Sequence, residues 1–310
     1  MAEPAAAPAS AAIRHNYADV NGVRLHYAAA GSANAKKLIL FLHGFPEFWY
    51  AWRNQLTELG QGDFLAVAPD MRGYNLSSRP PEVEKYDIRL LVADVVALIR
   101  HLGFESCFLV GHDWGGAVAW ATAIAAPQAV EKLIIVNAPH PASFERELRE
   151  NPAQQMASQY MLVFRAPEAE RMLSANNFAL MQESVLGENL RRGLLTEADR
   201  QAYLEAWSQP GALTGGLNYY RAAEAGPPTP GQHPSQSSFL QRARLASLEV
   251  TMPTLVIWGE RDPFLLTGNL IGLDQHVKNL RIERIPDATH WVVHEKSQRV
   301  NALIREFFAA

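Results

Sequence analysis

A carboxylate stands at the centre of the glycine-rich segment Gly111–Gly116, which reads Gly-His-Asp-Trp-Gly-Gly. The segment follows an apolar run and opens a predicted helix, and its small residues permit a sharp turn that exposes the side chain of Asp113. This arrangement is typical of a nucleophile elbow, with Asp at the position where esterases carry Ser. Taken alone, the same residues would also fit a turn in which Asp113 only caps the helix.

An aspartate nucleophile restricts the chemistry that such a site can perform. Attack of a carboxylate on an acyl carbon gives a reactive anhydride, whereas attack on an alkyl carbon gives an ordinary ester that water can cleave. Asp113 therefore points to substrates with an electrophilic sp3 carbon, and epoxides and alkyl halides are the main candidates. An esterase or acyltransferase would need Ser at this position.

Two later residues are candidate partners for Asp113. Asp262 and His290 each follow a predicted strand, and the chain order of nucleophile, acid and histidine is the one this kind of site uses. We expect Asp262 to orient His290, and His290 to take a proton from the water that cleaves the ester. Glu260 and Asp274 are weaker alternatives for the acid.

The segment His43–Glu47, which reads His-Gly-Phe-Pro-Glu, follows another predicted strand. Its turn would aim the backbone N–H of Phe45 into the site, where it would form an oxyanion hole together with the N–H of Trp114. The bond before Pro46 is compatible with the cis form, which X-Pro bonds tolerate. An ordinary turn after a strand remains the alternative for this segment.

Several motifs together resemble those of soluble epoxide hydrolases of the α/β-hydrolase superfamily, and the resemblance extends over nearly the whole chain from about residue 14. The motifs are His43–Glu47, Asp70–Tyr74 with Ser77 and Ser78, Gly111–Gly116, Asp262 and His290. The resemblance implies conversion of epoxides to vicinal diols through an alkyl-enzyme ester, with no metal and no organic cofactor.

The resemblance also implies two tyrosines that act as acids on the epoxide oxygen. Tyr160 and Tyr220 match the two positions, and Tyr219 is the alternative if the register is shifted by one residue, although the Arg221 that follows favours Tyr220. Ring opening leaves an alkoxide, which needs a hydrogen bond or a proton, and a phenol with an ordinary pKa of about 10 can supply it. A single tyrosine in a helical segment would by itself indicate only packing.

Two other functions share parts of this pattern. Haloalkane and haloacetate dehalogenases use the same Asp–His–acid machinery, but the haloacetate type typically has Arg after the nucleophile, where this chain has Trp114. Trp114 also fits haloalkane dehalogenases, and the paired tyrosines argue against that branch. A non-catalytic receptor with a hydrolase-like pocket should have lost part of the machinery, and all five expected side chains are present here.

The elements around the motifs predict an α/β fold in which helices flank a mainly parallel sheet. Asn21-Gly22 predicts a hairpin between the runs 17–20 and 23–28. Further strands are predicted at 37–43, 64–68, 106–110, 133–136, 254–258 and 280–285. Helices are predicted at 88–102 with Asp87 as N-cap, at 115–126, and at 292–308.

The chain is predicted to comprise an α/β-hydrolase core with an inserted helical cap. Residues 13–138 and 247–310 would form the core, residues 139–246 the cap, and residues 1–12 a disordered tail. Residues 225–238 are rich in Pro, Gly and Ser and predict a loop. A set of large apolar side chains would line the pocket or pack in the core: Trp49, Met156, Met161, Phe164, Met172 and Phe178.

The composition of the 310-residue chain favours a cytoplasmic protein. Charged residues make up 19% of the chain and the formal net charge is −4, so nothing draws it to nucleic acid or to an anionic membrane. No apolar stretch is long enough to span a bilayer. The single cysteine, Cys107, excludes an intrachain disulfide, and no cysteine cluster suggests zinc. The expected partners are a small apolar epoxide and water, and a homodimer is compatible with the sequence.

Overall fold

The computed structural model describes residues 12–32, 34–228 and 247–309. Within this part of the chain, eight strands form one sheet in the order β1-β2-β4-β3-β5-β6-β7-β8. The strands are β1 (Arg14–Val20), β2 (Val23–Gly31), β3 (Lys37–Leu42), β4 (Phe64–Pro69), β5 (Cys107–His112), β6 (Val130–Val136), β7 (Thr254–Gly259) and β8 (Leu280–Ile285).

The sheet is antiparallel at one edge and parallel elsewhere. β1 pairs antiparallel with β2, and β2 pairs antiparallel with β4. The remaining neighbours are parallel, which places the carboxyl ends of β3, β5, β6 and β7 along one edge of the sheet. Asn21 and Gly22 both have positive φ, as a tight hairpin turn requires, so the predicted hairpin is confirmed.

Among the described residues, helices cover both faces of the sheet and make up most of the stretch 141–222 that follows β6. They are α1 (Arg53–Leu59), α2 (Ile88–His101), α3 (Trp114–Ala125), α4 (Pro141–Glu150), α5 (Pro152–Ala157), α6 (Gln159–Arg165), α7 (Ala169–Met181), α8 (Glu188–Arg191), α9 (Glu197–Trp207), α10 (Ala212–Ala222), α11 (Val292–Glu295) and α12 (Ser297–Ala309). Asp87 caps α2 as predicted, because its carboxylate accepts a hydrogen bond from the N–H of Arg89.

The central strand β3 is buried on both faces, and its side chains alternate between two hydrophobic clusters. Leu40 and Leu42 point into the larger cluster, with α2 and α3. Ile39 and Phe41 point into the second cluster, with α1 and α12. This double burial explains why β3 reads as a continuous apolar run, and the predicted α/β-hydrolase fold with a mainly parallel sheet is confirmed.

The helices between β6 and β7 pack over the carboxyl edge of the sheet. In α9, the indole N–H of Trp207 donates to the carbonyl oxygen of Pro46 at 2.6 Å. In α10, the hydroxyl of Tyr219 donates to the carbonyl oxygen of Arg72 at 2.8 Å. These helices lie where the predicted cap should be, and the boundaries 139–246 stay a prediction because residues 229–246 lie outside the described part.

The carboxyl-terminal helix differs from the prediction. The single amphipathic helix expected over 292–308 is two helices, α11 and α12, separated at Lys296, which has φ of −132°. The break accompanies two contacts with the loop before α11: the carboxylate of Glu295 accepts hydrogen bonds from both the N–H and the hydroxyl of Thr289, and Lys296 pairs with Asp287.

Two other predictions concern residues that lie mostly outside the part of the chain that the structure describes. The predicted tail, 1–12, lies outside the described residues except for its last residue, and the predicted loop, 225–238, lies outside them from residue 229. Among the helices that are described, none combines the length and the apolar character needed to cross a bilayer.

Candidate active site

Asp113 occupies a strained turn between β5 and α3, as the nucleophile-elbow prediction requires. Its φ of 52° and ψ of −123° are unusual for a residue with a side chain, and they turn the carboxylate away from the sheet. The turn is held close to the neighbouring strand: a Cβ added to Gly115 would lie 2.2 Å from the carbonyl oxygen of Leu42. Only glycine fits at position 115, so the glycines of this segment serve the geometry of the turn.

The carboxylate of Asp113 is held ionised by its neighbours. The N–H of Phe45 donates to Oδ1 at 2.7 Å, and Nε2 of His290 lies 3.5 Å from Oδ2. Burial raises the pKa of Asp113, but His290 and the Phe45 amide outweigh it and hold the pKa below its ordinary value. Gly44 permits this approach, since a Cβ there would lie 2.3 Å from the Cβ of Asp113.

His290 lies between two carboxylates. Its Nδ1 donates to Oδ2 of Asp262 at 2.7 Å, while its Nε2 faces Asp113. Burial lowers the pKa of His290, but Asp262 and Asp113 outweigh burial and raise it to about 10. The imidazole is therefore protonated in the resting site at neutral pH, and the structure brings together the three residues that the sequence analysis paired.

The two alternative acids are placed elsewhere. Glu260 forms an ion pair with Arg284. Asp274 lies in a short 3-10 turn, Leu273–Gln275, on an exposed part of the chain. The position next to Nδ1 of His290 is taken by Asp262, as predicted from the chain order.

Asn137, at the end of β6, is a residue of the site that the sequence analysis missed. Its Nδ2 donates to Oδ2 of Asp262 at 2.8 Å, and its Oδ1 accepts from the N–H of Gly259 at 2.8 Å. Like Asp113, Asn137 has a positive φ, of 39°. The signal that could have identified it is its position directly after a buried parallel strand, where ligands and catalytic groups of such sheets gather.

Tyr160 in α6 and Tyr220 in α10 face the same site. Their ring centroids lie 6.2 Å apart, and the ring of Trp114 contacts Tyr220 edge-on at 5.0 Å. Burial raises the pKa of both phenols well above 10, and the charge of Asp113 raises each further. Both hydroxyls therefore remain protonated near neutral pH and are available as hydrogen-bond donors.

The structure distinguishes Tyr220 from its neighbour Tyr219. The hydroxyl of Tyr219 donates to the carbonyl oxygen of Arg72, and its ring packs against Tyr74 and Tyr86. Tyr219 is thus bound to the loop after β4, and helical geometry turns Tyr220 in a different direction. The register chosen from the sequence, with Tyr220 facing Asp113, agrees with this geometry.

A buried polar network lies behind His290. The carboxylate of Glu47 accepts from Tyr203 at 2.9 Å and from Nε2 of His294 at 2.5 Å. Nε2 of His112 donates to the backbone carbonyl of His290 at 2.9 Å. Burial raises the pKa of Glu47, but His294 and His112 outweigh it and hold the pKa well below its ordinary value. From the sequence, Glu47 is predicted only as the end of the turn in the His43–Glu47 motif, without these partners.

Of the two predicted oxyanion donors, Phe45 contacts the Asp113 carboxylate and Trp114 follows Asp113 in the chain. The N–H of Phe45 already binds the Asp113 carboxylate, and the bond between Phe45 and Pro46 is cis. Trp114 is the first residue of α3, where backbone N–H groups have no partner within the helix. Among the described residues, no group of three His, Cys, Asp or Glu side chains is arranged to hold a metal ion.

Aromatic rings surround the two tyrosines. Phe164 packs against Phe45 with ring centroids 5.3 Å apart, and Phe264 packs against Tyr160 at the same distance. Phe164 thus lies beside the two tyrosines, which favours pocket lining over core packing, the two alternatives that the sequence left open for it. Met156, predicted in the same set, is 73% exposed and points to solvent.

Comparisons with known proteins agree with this geometry. The family model described as "alpha/beta hydrolase fold" matches residues 37–297. The AB hydrolase superfamily protein YfhM of Bacillus subtilis is 38% identical over 95% of this chain and 98% of its own length. Mouse epoxide hydrolase 4 is 38% identical over 93% of this chain and 77% of its own length.

Solved structures give the same result. The epoxide hydrolase of Bacillus megaterium in complex with an inhibitor superposes with a TM-score of 0.85, at 38% identity, over 95% of this chain and 100% of that one. Epoxide hydrolase VrEH1 of Vigna radiata superposes with a TM-score of 0.78, at 28% identity, over 96% of this chain and 98% of that one. With the elbow, the histidine and its acid in the expected places, the chain belongs to the epoxide hydrolase family of the α/β-hydrolase superfamily.

Proposed function

We propose that this protein hydrolyses epoxides to vicinal diols through an alkyl-enzyme ester on Asp113. One observation carries the proposal: an ionised carboxylate at a strained elbow faces both a histidine–aspartate pair and two protonated phenols. A carboxylate nucleophile suits an sp3 carbon, and the phenols suit an oxygen that leaves as an alkoxide. The names of the relatives support the same reaction.

In the first step, the hydroxyls of Tyr160 and Tyr220 donate hydrogen bonds to the oxygen of the epoxide. Asp113 attacks one ring carbon from the side opposite to that oxygen, so that a C–O bond of the ring breaks as the ester bond forms. The alkoxide becomes a hydroxyl by gaining one proton. One phenol supplies this proton, and the proton that His290 carries in the resting site restores the phenol, so that His290 is neutral once the ester has formed.

Formation of the ester also prepares His290 for the second step. The charge of Asp113 is one of the two that raise the pKa of His290, and it disappears when the carboxylate becomes an ester. The pKa of His290 then falls, since burial continues to lower it and only the charge of Asp262 opposes burial. A histidine that is an acid in the resting site thereby becomes a base when a base is needed.

In the second step, His290 takes a proton from water, which attacks the carbonyl carbon of the Asp113 ester. The amides of Phe45 and Trp114 stabilise the resulting oxyanion, a contribution of roughly 3 kcal/mol for each such donor. The C–O bond to the alkyl carbon remains intact while the acyl C–O bond breaks. The leaving alkoxide takes the proton of the hydroxyl that water added to Asp113, so the diol leaves neutral, Asp113 is again a carboxylate, and His290 keeps the proton it took from water.

A product assay tests this function. The purified protein is incubated with a panel of small apolar epoxides and with parallel panels of haloalkanes and haloacetates. Diol formation supports the proposal. Halide release without diol would assign the protein to dehalogenation and make Tyr160 and Tyr220 ordinary packing residues, and no turnover of any panel would favour a non-catalytic receptor.

The tyrosines give a prediction that separates the first step from the second. Tyr160→Phe and Tyr220→Phe should each slow formation of the alkyl-enzyme by about 10²-fold or more, because a general acid typically contributes roughly 10²- to 10⁴-fold. Rapid-quench mass spectrometry of the protein measures this rate. Tyr219→Phe is the matched control, since its hydroxyl binds the Arg72 carbonyl. Equal losses in Tyr219→Phe and Tyr220→Phe would contradict the assignment.

A further inference from the structure

Gln154, in α5, is a buried amide that connects the inserted helices to the loop after β7. Its side chain is 0% exposed. Nε2 donates to the carbonyl oxygen of Phe264 at 2.8 Å and to the hydroxyl of Ser158 at 2.9 Å. Oε1 accepts from the N–H of Leu266 and from Nδ2 of Asn269, both at 2.9 Å. The amide thus uses both of its N–H groups and both oxygen lone pairs.

The loop after β7, which Gln154 binds, also carries Asp262, the acid that orients His290. Oδ1 of Asp262 accepts hydrogen bonds from the N–H groups of Phe264 and Leu265, at 2.8 and 2.9 Å. Gln154 binds the carbonyl of Phe264 and the N–H of Leu266, and so fixes the peptide groups next to these two donors. A fully satisfied buried network of this kind makes the local structure rigid.

The side chain of Phe264 contacts both Tyr160, the proposed general acid, and His290, the proposed general base. The ring of Phe264 packs edge-on against Tyr160, with centroids 5.3 Å apart, and against His290, with centroids 5.4 Å apart. Ser158, the other partner of the Gln154 amide nitrogen, immediately precedes α6, the helix that carries Tyr160. One side chain therefore lies between the start of α6 and the Asp262 loop.

We propose that Gln154 is a positioning residue that sets the placement of Tyr160 relative to the Asp262–His290 pair, by joining α6 to the loop that follows β7. This inference rests on the proposed function for its kinetic consequences. A second connection lies farther out, where the guanidinium of Arg146 in α4 donates to the carbonyl oxygens of Gly268 and Ile271, both at 2.7 Å.

Removing the hydrogen bonds of Gln154 should lower the rates of both ester formation and ester hydrolysis. Displacing α6 misplaces Tyr160 and slows ester formation, while displacing the loop misplaces Asp262 and slows ester hydrolysis. A displacement of about 1 Å far from the reacting atoms can cost on the order of 10²-fold. Gln154→Met, which is similar in size and lacks all four hydrogen bonds, should therefore lower each rate by about tenfold to a hundredfold.

The experiment follows adduct formation and decay by rapid-quench mass spectrometry, with styrene oxide as substrate. Gln155→Met is the matched control, because Gln155 lies on the same helix and its amide donates to the carbonyl of Leu148, within α4 and α5. The expected result is a loss of both rates in Gln154→Met and unchanged rates in Gln155→Met. Loss of only one rate, or equal effects in the two variants, would overturn the proposal.

Two structural measurements decide the proposal independently of turnover. In Gln154→Met, the low-field NMR signal of the Nδ1 proton of His290 should shift or broaden, and the amides of residues 264–266 should exchange faster with deuterium. An unchanged His290 signal together with unchanged amide exchange would overturn the proposal. Absence of an ester in the wild-type protein with styrene oxide would count only against the proposed function, and the two structural measurements would still decide the role of Gln154.

A second variant covers the case in which Gln154→Met does not fold. Arg146 is partly exposed, so that Arg146→Met should fold while removing the outer connection between α4 and the same loop. We expect both rates to fall in this variant too, by less than in Gln154→Met, together with faster exchange at residues 268–271. Normal rates and normal exchange in Arg146→Met would contradict the proposal that the contacts of α4 and α5 with the loop after β7 position Tyr160 and Asp262.

Discussion

Replacing Asp113 with asparagine should abolish diol formation while the protein stays folded. The amide has nearly the same shape as the carboxylate and can still accept the hydrogen bond from Phe45. It is not a nucleophile, however, so no ester forms. We expect turnover to fall by roughly 10⁶-fold, the scale seen when the nucleophile of a triad is removed. Diol formation with a panel of epoxides measures the effect.

The backbone at position 113 favours this variant over others. Asparagine tolerates a positive φ better than most residues, so the strained turn should persist. Asp274→Asn is a suitable control because Asp274 lies on an exposed turn and is an alternative that the structure places away from Nδ1 of His290. Diol formation at a normal rate in Asp113→Asn would show that another group opens the epoxide.

Replacing His290 with glutamine should trap the covalent intermediate. Asp113 keeps its position and its Phe45 hydrogen bond, and the phenols can still donate to the epoxide oxygen, so the first step should proceed, although more slowly because His290 no longer stabilises the Asp113 carboxylate. No side chain then takes a proton from the attacking water, and hydrolysis of the ester should slow by about 10³-fold or more, the upper part of the range for general base catalysis. Mass spectrometry of the intact protein should show one added epoxide per chain, and digestion should place it on Asp113.

A matched histidine controls for loss of an imidazole. His276 stacks on His140, with ring centroids 4.9 Å apart, and takes no part in the proposed site. His276→Gln should therefore turn over substrate without accumulating an adduct. If His290→Gln formed diol and no adduct, the water would be activated by another residue or would attack the epoxide directly.

The core of the fold could be predicted because its parallel strands are buried on both faces. Such strands appear in the sequence as short, nearly continuous apolar runs, and β4 and β7 each begin at the predicted residue and end one residue beyond the predicted end. The Asn21-Gly22 turn and the Asp87 cap are local features that a few residues determine. The break between α11 and α12 escaped prediction because one amphipathic pattern runs through both helices, while the contact of Glu295 with Thr289 is tertiary.

The site was predictable where a local motif or the chain order determines it. The elbow at Asp113 depends on adjacent glycines, and Asp262 and His290 follow strands in a fixed order. Asn137 and Gln154 were not predictable, because each acts through a partner more than 100 positions away, as in the contacts with Asp262 (125 positions) and Phe264 (110 positions). No spacing in the sequence encodes such a contact.

The apolar side chains of the inserted helices show the same limit. Phe164 and Met156 were both candidates for the pocket, since both are large apolar side chains in predicted helical segments. Phe164 packs against Phe45 and Tyr220, whereas Met156 is 73% exposed. The direction in which each short helix turns its side chains depends on how α5 and α6 pack against the core, and a hydrophobic pattern of six or seven residues does not specify it.

A single turnover in heavy-oxygen water tests the covalent ester most directly. The protein is placed in the labelled water with less than one equivalent of epoxide, and the diol and the digested protein are analysed by mass spectrometry. Water attacks the carbonyl carbon of the Asp113 ester in our account, so the label should appear first in Asp113 and the first diol should contain none. Label in the first diol, with none in Asp113, would show that water opens the ring directly and would contradict the account.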